Sequence, residues 1–316
     1  MYQKLVKYTK KYNMLQTAGS QKIPSLIDNA RTALSSIRGQ LISVLEKYSQ
    51  LKPTHTKYGT GVRTTYPASS SRDILKTGQE PVPYEPVYYV ADVVISSIWA
   101  AGKSPAQSWA DPENPAEIAA QIAAGRKRVT PYGTSVANQP FEIINGFPVN
   151  PLGKTGFTGR GELGLWGANP AADPIIFRTI NNIFCVLLIQ RADGAKEWAF
   201  PGGMVDPTDS TISAAAVREL REETGFSVTD LVNYSLGMVY SGYVDDARNT
   251  DNAWMETNAF AWYLPAEVPS NKIKLFADGD ETLAVKWVPV TPELLEDGKL
   301  FASHGAILRD AIRKLI

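Results

Sequence analysis

The second half of the chain alternates short apolar runs with helical stretches, and this alternation limits the fold more than any other feature. Apolar and β-branched residues form runs of strand length at residues 183–190, 236–240, 257–264 and 283–288. Apolar side chains recur on one face of residues 212–224 and of residues 303–315, so each of these stretches is predicted to be a helix. Strands and helices mixed in this order predict an α/β (α+β) fold.

The first half of the chain is less regular. Residues 87–95 are rich in aromatic and β-branched side chains and predict a strand, and the alanine-rich residues 114–125 predict a helix. Residues 52–86 are rich in Pro, Gly, Ser and Thr, which is typical of a linker or an extended arm. Residues 145–167 contain seven glycines and are predicted to be irregular. We therefore predict three parts: a helical extension at 1–54, a smaller domain at 55–172 and a second domain at 173–316.

The extension differs from the rest of the chain in charge. The whole chain has 32 Lys/Arg and 32 Asp/Glu, so its neutrality gives no general case for a nucleic-acid partner. Residues 1–54, however, carry nine Lys/Arg against two acidic residues. Their apolar residues recur at helical spacing: Ile27, Ala30, Leu34, Ile37, Leu41 and Val44. Such a stripe is expected to be buried, either against the body of the protein or against a second copy through self-association.

Several kinds of protein are excluded by composition. The chain has one cysteine, Cys185, and two histidines, His55 and His304, so neither a disulfide framework nor a multi-histidine zinc site can form. Both histidines are expected to be structural. The longest apolar runs are too short for a membrane span. The start lacks a signal-peptide pattern, and we expect an intracellular, cytoplasmic protein; the basic N-terminal segment makes a mitochondrial location the alternative.

The residue pattern that predicts chemistry lies at residues 198–226. On the predicted helix, Glu219, Glu222 and Glu223 project from one side, where three carboxylates repel one another unless a cation lies between them. Oxygen ligands without nearby His or Cys favour Mg²⁺, with Mn²⁺ as the alternative. Taken alone, these acids are more typical of a solvated helix face paired with Arg218 and Arg221. Their context, an apolar strand followed by a glycine pair and then the helix, favours the metal site.

The same stretch resembles the Nudix box, G-x5-E-x7-R-E-U-x-E-E-x-G-U, where U is a bulky apolar residue. The matching residues are Gly203, Arg218, Glu219, Leu220, Glu222, Glu223, Gly225 and Phe226. Two departures occur: Asp209 takes the place of the first glutamate, and eight residues instead of seven separate it from Arg218. Physically, divalent cations on such a helix would clamp phosphate oxygens and lower the pKa of a bound water.

Stretches outside the box resemble the ADP-ribose pyrophosphatase branch of that superfamily, which is related to the ADP-ribose-sensing domain of melastatin-type cation channels. They lie at residues 150–161, 166–176, 202–207 and 242–256. The resemblance implies a Nudix α/β/α sandwich with a mixed sheet, covered by an N-terminal cap-like domain. It also implies Mg²⁺-dependent hydrolysis of ADP-ribose to AMP and ribose 5-phosphate. A non-catalytic ADP-ribose sensor and a hydrolase of another nucleoside diphosphate derivative are the alternatives.

The resemblance also implies roles for individual residues. Glu219, Glu222 and Glu223 match the metal ligands of the family. The positions that match substrate-binding residues are Gly202, Gly203, Met204, Asp246, Arg248, Leu300 and Ser303. Asp280 and Glu281 precede a predicted strand and are candidates either for the general base, together with Glu223, or for a further metal contact. Asp246 has an alternative role as the cap of a turn.

Overall fold

The computed structural model describes residues 32, 35–47, 63–66, 69–73, 84–98, 108–192, 196–226, 231–264, 268, 275, 277, 279, 281–296 and 298–315. Within these ranges, no helix combines the length and the apolar character that crossing a bilayer requires. Of the residues predicted to act in the site, Asp280 lies outside the described residues. His55, which was expected to be structural, lies outside them too.

The first half of the chain forms short elements. They are helix α1 (residues 35–47), β1 (Arg63–Tyr66), β2 (Ser69–Asp73), β3 (Val87–Val90), α2 (Asp92–Ser97), α3 (Ile118–Ala123), β4 (Ile143–Ile144), β5 (Phe147–Pro148) and β6 (Phe157–Gly161). β1 pairs with β2 and β4 with β5, both antiparallel, whereas β3 runs parallel to β6. The helix predicted at 114–125 is confirmed: a 3₁₀ turn at Pro115–Glu117 leads into α3, and the Asn114 side chain caps it.

Two predictions for this half are corrected. The strand predicted at 87–95 ends at Val90, and Asp92 begins α2, where its carboxylate stabilises the first turn of the helix. The stretch at 145–167 is not irregular throughout, because Phe157–Gly161 forms β6. Its glycines hid this strand from the sequence pattern, yet Gly159 has to be small, since a Cβ there would lie 2.6 Å from the carbonyl oxygen of Tyr89.

The second half forms a mixed sheet between helices. Its elements are β7 (Gly167–Ile180), β8 (Ile183–Arg191), β9 (Trp198–Ala199), β10 (Gly203–Met204), α4 (Ile212–Thr224), β11 (Ser235–Tyr243), β12 (Ala253–Leu264), β13 (Thr282–Pro289) and α5 (His304–Leu315). The strand order is β11-β12-β7-β8-β13, and β12 runs parallel to β7 while the other pairs are antiparallel. The predicted strands and both predicted helices of this half are confirmed to within a few residues.

Side chains that alternate along β8 separate the two cores. Phe184, Val186 and Leu188 lie in one hydrophobic core together with α5, and Leu187 lies in the other together with Leu220 of α4. This alternation is the period of two that a strand buried on both faces requires. The predicted α/β/α arrangement with a mixed sheet is therefore confirmed.

Helix α1 packs on the α5 side of the sheet. Ile37 and Leu41 are buried in the same core as Phe184 and Val186, and the Gln40 side chain donates a hydrogen bond to the Asn182 carbonyl at 2.9 Å. The described part of the predicted stripe is thus buried against the body of the protein. The remaining stripe residues Ile27, Ala30 and Leu34 lie outside the described residues, and self-association through residues 1–54 stays a prediction.

The central strand β7 was not predicted. It contains Pro170 and Pro174, which the sequence pattern treats as strand breakers because proline has no N–H to donate. On one edge β12 pairs in parallel with residues 167–178 of β7, and this continuous pairing holds β7 in the sheet. The boundary predicted at residue 172 falls inside β7. The division of the chain into domains at 55–172 and 173–316 stays a prediction.

The other edge of β7 changes partners and leaves a gap. β10 pairs with Ala171 and Ala172, and β8 pairs with residues 177–180, so residues 173–176 lie between the two pairings. The chain crosses this gap between β9, which pairs with β8, and β10, which pairs with β7. We call residues 200–202 of this crossing the bridge loop. The candidate site lies where it crosses.

Candidate active site

A cleft of about 500 Å³ opens at the bridge loop, a volume within the range of small-molecule sites. Its walls come from β7, β8, β12, α4, the start of α5 and the loops between them. The lining residues are Ala171, Asp173, Arg191, Ala192, Phe200, Gly202, Gly203, Met204, Asp206, Glu219, Glu223, Val244, Asp246, Arg248, Met255, Thr257, Glu281, Phe301 and His304.

Helix α4 supplies the acidic wall. It begins after Thr211, whose hydroxyl accepts a hydrogen bond from the Ala214 N–H at 3.1 Å, and it ends at Gly225, which is left-handed with φ 63°. Leu220 anchors the opposite face of the helix in the core. This anchoring turns Glu219 and Glu223, one helical turn apart, towards the cleft, where both are buried.

Glu219 lies against the Gly202-Gly203 turn. A Cβ at Gly203 would be 2.6 Å from each of the three atoms of the Glu219 carboxylate, so only glycine leaves room for that group. Burial raises the pKa of Glu219 to about 7, although the neighbouring Arg218 charge and hydrogen bond act in the opposite direction. The carboxylate therefore lies where a further positive charge would be strongly favourable.

Glu223 holds the bridge loop. Its carboxylate accepts a hydrogen bond from the Gly202 N–H at 2.7 Å. Burial raises the pKa of Glu223 to about 8; the Gly202 hydrogen bond lowers it, and the charges of Glu219 and Glu281 raise it further. Glu223 thus links helix α4 to the loop that forms the floor of the cleft.

Glu222 is placed differently from the other two glutamates. Its side chain is 58% exposed, and it accepts a hydrogen bond from Arg218 at 2.9 Å instead of lining the cleft. Arg218 also contacts Glu219 at 2.7 Å and donates two hydrogen bonds to Asp209, at 2.9 and 3.1 Å. Asp209, which departs from the box pattern in the sequence, therefore orients the arginine that orients Glu219.

Asp246 and Arg248 form a bidentate ion pair on another wall of the cleft. The Arg248 guanidinium donates two hydrogen bonds of 2.8 Å to the Asp246 carboxylate, and the Arg248 N–H donates a third at 2.9 Å. Burial alone would raise the pKa of Asp246, but the charge and hydrogen bonds of Arg248 outweigh it and lower that pKa. The structure thus gives Asp246 both predicted positions, in the cleft and at a turn, because the Asn249 N–H also bonds to its carbonyl at 3.1 Å.

The remaining predicted residues divide into two groups. Gly202, Gly203, Met204 and Glu281 line the cleft together with the acidic wall. Leu300 and Ser303 do not: Leu300 is buried in the core beside α5, and the Ser303 hydroxyl accepts a hydrogen bond from the Asp245 N–H at 2.9 Å. The latter two residues support neighbouring loops.

Several residues of the cleft were not predicted from the sequence. Asp173 of β7 accepts a hydrogen bond from the Thr257 hydroxyl at 2.8 Å, and burial raises the pKa of its carboxyl group to about 6. Arg191 lies with its guanidinium carbon 4.3 Å from the centre of the Phe301 ring. Each occurs at a single position on a strand, and only the pairing of the strands reveals that it belongs to the cleft.

His304 was expected to be structural, and it also lines the cleft. Its Nδ1 accepts a hydrogen bond from the Phe200 N–H at 2.8 Å, and its ring stacks on the Phe200 ring with centres 4.8 Å apart. Burial and the Arg191 charge lower the pKa of His304 to about 3, so the ring is neutral. Because Nδ1 is an acceptor, the proton is on Nε2.

The charge of the lining is suited to cations rather than to anions. Among the described lining residues, six carboxylates and two guanidinium groups face the cleft. Within the described residues, no group of three or more His, Cys, Asp or Glu side chains is placed to bind a metal ion without other ligands. Mg²⁺, however, commonly binds one or two carboxylates and takes its other ligands from water and substrate phosphates. Glu219 and Glu223 fit that kind of site.

The site combines a glycine turn, a helix with two buried carboxylates and a cleft beside them. Residues 169–310 match the family model described as the NUDIX domain, and residues 79–167 match the model described as the NUDT9-like, N-terminal domain. The chain is also 35% identical over 239 residues to a protein of Caenorhabditis elegans named putative nudix hydrolase 6, covering 74% of this chain and 85% of that protein. The chain belongs to the Nudix hydrolase family.

Two further relatives extend the comparison. The mitochondrial ADP-ribose pyrophosphatase of Rattus norvegicus is 42% identical over 200 residues, which cover 54% of this chain and 55% of that protein. The transient receptor potential cation channel subfamily M member-like 2 of Nematostella vectensis is 34% identical over 281 residues, covering 77% of this chain and 17% of the channel. The match thus spans about half the length of the rat protein and a small part of the channel.

Proposed function

We propose that this protein hydrolyses the pyrophosphate bond of ADP-ribose to AMP and ribose 5-phosphate, with Mg²⁺ as the cofactor and Mn²⁺ as a substitute. The observation that carries the proposal is the pair of buried carboxylates, Glu219 and Glu223, on one wall of a cleft of suitable size. The relative named ADP-ribose pyrophosphatase, 42% identical over the shared region, supports the choice of substrate.

The acidic lining makes a bound cation necessary for this reaction. A diphosphate brought into a cleft with six carboxylates among its described lining residues would be repelled, because like charges in a partly buried site interact strongly. When bound, Mg²⁺ would supply the opposite charge, contact phosphate oxygens and lower the pKa of a water molecule. Glu219 and Glu223 would hold it, and Glu222 would contribute as a ligand after leaving Arg218.

The other residues of the cleft would bind and orient the substrate. The Arg191 and Arg248 guanidinium groups carry the positive charge of the lining and can bind phosphate oxygens. The neutral His304 can donate a hydrogen bond from Nε2 without adding charge. Asp246, held ionised by Arg248, is suited to accept hydrogen bonds from ribose hydroxyls. Gly202, Gly203 and Met204 would line the diphosphate, and Leu300 and Ser303 would act by supporting the loops around it.

Glu281, Glu223 and Asp280 are the candidates for the group that takes the proton from the attacking water. Glu281 lines the cleft and is exposed, so it can exchange protons with solvent, whereas Glu223 is buried and tied to Gly202. We propose Glu281 as the general base, because a carboxylate that holds both the metal and the bridge loop is less free to accept a proton. Asp280, next to it in the sequence, is the neighbouring candidate.

The test is a direct assay. The purified full chain is incubated with Mg²⁺ and ADP-ribose, and AMP release is followed by chromatography, with NADH and a nucleotide sugar as competing substrates. Faster turnover of ADP-ribose supports the proposal. Faster turnover of either competitor supports a hydrolase of another nucleoside diphosphate derivative, and tight ADP-ribose binding without turnover supports a sensor.

The compartment is a separate proposal. We propose a cytoplasmic location, with the mitochondrion as the alternative because the rat relative is named a mitochondrial protein and residues 1–54 are basic. Fractionation of cells that express the full chain with a C-terminal tag distinguishes the two.

A further inference from the structure

The loop between β11 and β12, residues 244–252, faces two different neighbours. Val244, Asp246 and Arg248 line the cleft, whereas residues 249–251 are buried in the protein. Every residue described as lining the cleft lies at or after Ala171. The described first half of the chain therefore reaches the cleft only through the residues that it contacts, and the β11–β12 loop is one such place.

Asp251 fastens the buried part of this loop to the first half. It is 1% exposed. Its Oδ1 accepts hydrogen bonds from the Thr155 N–H at 2.6 Å and from the Thr155 hydroxyl at 2.9 Å, and its Oδ2 accepts one from the Tyr84 hydroxyl at 2.8 Å. Both carboxylate oxygens are thus bound by residues that precede Asp251 by 96 and 167 positions in the sequence.

The backbone around Asp251 is attached to the same region. The Asp251 N–H donates to the Phe157 carbonyl at 2.8 Å, and the Asp251 carbonyl accepts from the Asn150 N–H at 2.9 Å. The neighbouring Thr250 hydroxyl donates to the Gly159 carbonyl at 2.7 Å. This end of the loop is therefore held against the first half by side chains and backbone together.

The attachment lies close to the ion pair in the cleft. Arg248 precedes Asp251 by three residues, and β6 packs against its backbone, since a Cβ at Gly161 would lie 3.4 Å from the Arg248 carbonyl oxygen. Arg248 in turn donates three hydrogen bonds of 2.8–2.9 Å to the Asp246 carboxylate. Because Asp246 and Arg248 are bonded to each other, a shift of the loop at Asp251 would move both groups.

A second support of the loop lies within the second half. The Asn249 side chain donates to the Tyr243 hydroxyl at 2.9 Å and accepts from the Met255 N–H at 2.8 Å. These bonds join the loop to its own flanking strands, β11 and β12. They close the loop on itself, whereas the bonds of Asp251 tie it to a different part of the fold.

We propose that Asp251 is a positioning residue that sets the place of Asp246 and Arg248 in the cleft. Its buried carboxylate is a fixed point, because loss of one of its bonds would leave a polar group unsatisfied away from water. The consequence for substrate binding rests on the proposed function, in which Asp246 and Arg248 bind the substrate. The consequence for the order of the loop does not.

The kinetic test removes one hydroxyl that contacts Asp251. Thr155→Val loses a bond to Oδ1 and nearly keeps the shape of the side chain. In the full chain with Mg²⁺ and ADP-ribose, KM should rise roughly three- to tenfold and kcat should change by less than about twofold. The reason is that Glu219, Glu223 and Glu281 lie on or beside other elements, α4 and β13, and keep their places. Thr155→Ser retains the hydroxyl and should restore the wild-type KM.

A merely structural role predicts a different result. Loss of folded protein lowers the amount of active enzyme and hence the apparent kcat, while KM stays the same. Thr134→Val is the matched control, because its hydroxyl donates to the Pro131 carbonyl within the first half, and it should change neither constant. If thermal melting shows that Thr155→Val does not fold, Tyr84→Phe, which removes the bond to Oδ2, decides in its place.

The effects on KM should not add if Asp251 acts through the ion pair. Arg248→Gln alone should raise KM, and Thr155→Val placed in that background should raise it by less than about twofold more. A further increase as large as in the wild-type background would mean that Asp251 acts elsewhere and would overturn the proposal.

Hydrogen exchange tests the loop without any substrate. The N–H groups of Arg248 and Asn249 are both hydrogen-bonded to Asp246. Their exchange in the full chain should be roughly fivefold or more faster in Thr155→Val and unchanged in Thr134→Val. Unchanged exchange in Thr155→Val, or faster exchange with the wild-type KM, refutes the positioning role. A wild type that does not turn over ADP-ribose refutes the proposed function instead, and the exchange rates then decide the role of Asp251 by themselves.

Discussion

Replacing Gly203 by Ala tests how closely the glycine turn positions the Glu219 carboxylate, which we propose holds the metal ion. The added Cβ would lie 2.6 Å from the Glu219 carboxylate, whereas ordinary contacts begin at 3.4 Å. The carboxylate must therefore move by about 0.8 Å, since the turn itself is held by its pairing with β7. Misplacing a reacting group by roughly 1 Å can cost on the order of a hundredfold in rate, so kcat for ADP-ribose should fall by about that factor.

The stability of this variant should change little. Gly203 does not have a positive φ, and the atoms it would meet are the end of a flexible side chain that can rotate away. The melting temperature should accordingly remain close to that of the wild type, while kcat falls. Gly39→Ala, on the exposed face of α1 where a Cβ meets nothing within 4 Å, is the matched control. It should keep full activity and gain up to about 1 kcal/mol of stability from helix propensity.

The result that would refute the reasoning is specific. If Gly203→Ala keeps kcat within twofold of the wild type at saturating Mg²⁺, the position of Glu219 does not govern the reaction. A variant that loses both activity and fold would show that the turn, rather than the carboxylate, is what cannot move.

The other predictions concern the proposed metal site, its support and the N-terminal helix. Glu223→Gln should fold normally and lose roughly a thousandfold or more in turnover, because an amide cannot hold the cation; near-normal rates in a chromatographic AMP assay would place the metal elsewhere. Asp209→Ala should cost less, roughly ten- to hundredfold, since it acts through Arg218; equal losses in the two variants would contradict this ranking. The hydrogen bond with Arg218 lowers the pKa of Asp209. The stability that this hydrogen bond contributes is therefore present above the unfolded pKa of about 3.9 and is lost as the pH falls through the lower folded pKa. In urea denaturation, Asp209→Asn should accordingly lose less stability on acidification than the wild type. Leu41→Ala should lower the free energy of unfolding by about 2–5 kcal/mol. A chain starting near His55 should be less stable or less soluble than the full chain, and both variants should keep the rate of hydrolysis within a factor of a few. Loss of catalysis in a truncated chain that still folds would mean that α1 shapes the cleft.

The sequence was sufficient for the parts of the fold in which local pattern and tertiary role agree. Helix α4 was predicted with its observed bounds, because its apolar face and its Gly225 end point to the same segment; its Thr211 cap is seen only in the structure. Strand β8 was predicted almost as well, since a continuous apolar run is what a strand buried on both faces requires.

The central strand β7 could not be predicted in the same way. It contains two prolines and three alanines within the stretch 168–174, so its local preference opposes a strand. It is held by β12, a strand more than eighty residues away in the sequence, through parallel pairing with residues 167–178. A long-range pairing of this kind leaves no periodic pattern in the strand that depends on it.

The site was predictable where residues lie close together in a motif and unpredictable where strands bring them together. Glu219 and Glu223 follow from helical spacing, and the structure places both at the cleft. The pairing of Glu222 with Arg218 is compatible with helical spacing, but the spacing could not show that Glu222 lies outside the cleft, because that depends on how α4 is rotated against the sheet. Asp173 and Arg191 lie on separate strands and enter the cleft only through the sheet topology.

The bridge loop makes the shape of the cleft depend on Glu223 and His304, two groups to which the proposed function assigns roles in the reaction. Its flanking strands β9 and β10 are two residues long each, so few backbone hydrogen bonds resist local opening there. Two further ties fasten it: Gly202 to Glu223 on one side of the sheet, and Phe200 to His304 on the other. Loss of either hydrogen bond would leave the bridge loop less restrained and let the cleft widen. An alanine at position 223 or 304 therefore removes a mechanical restraint together with a functional group, whereas glutamine at 223 keeps an acceptor for the Gly202 N–H and changes the charge alone.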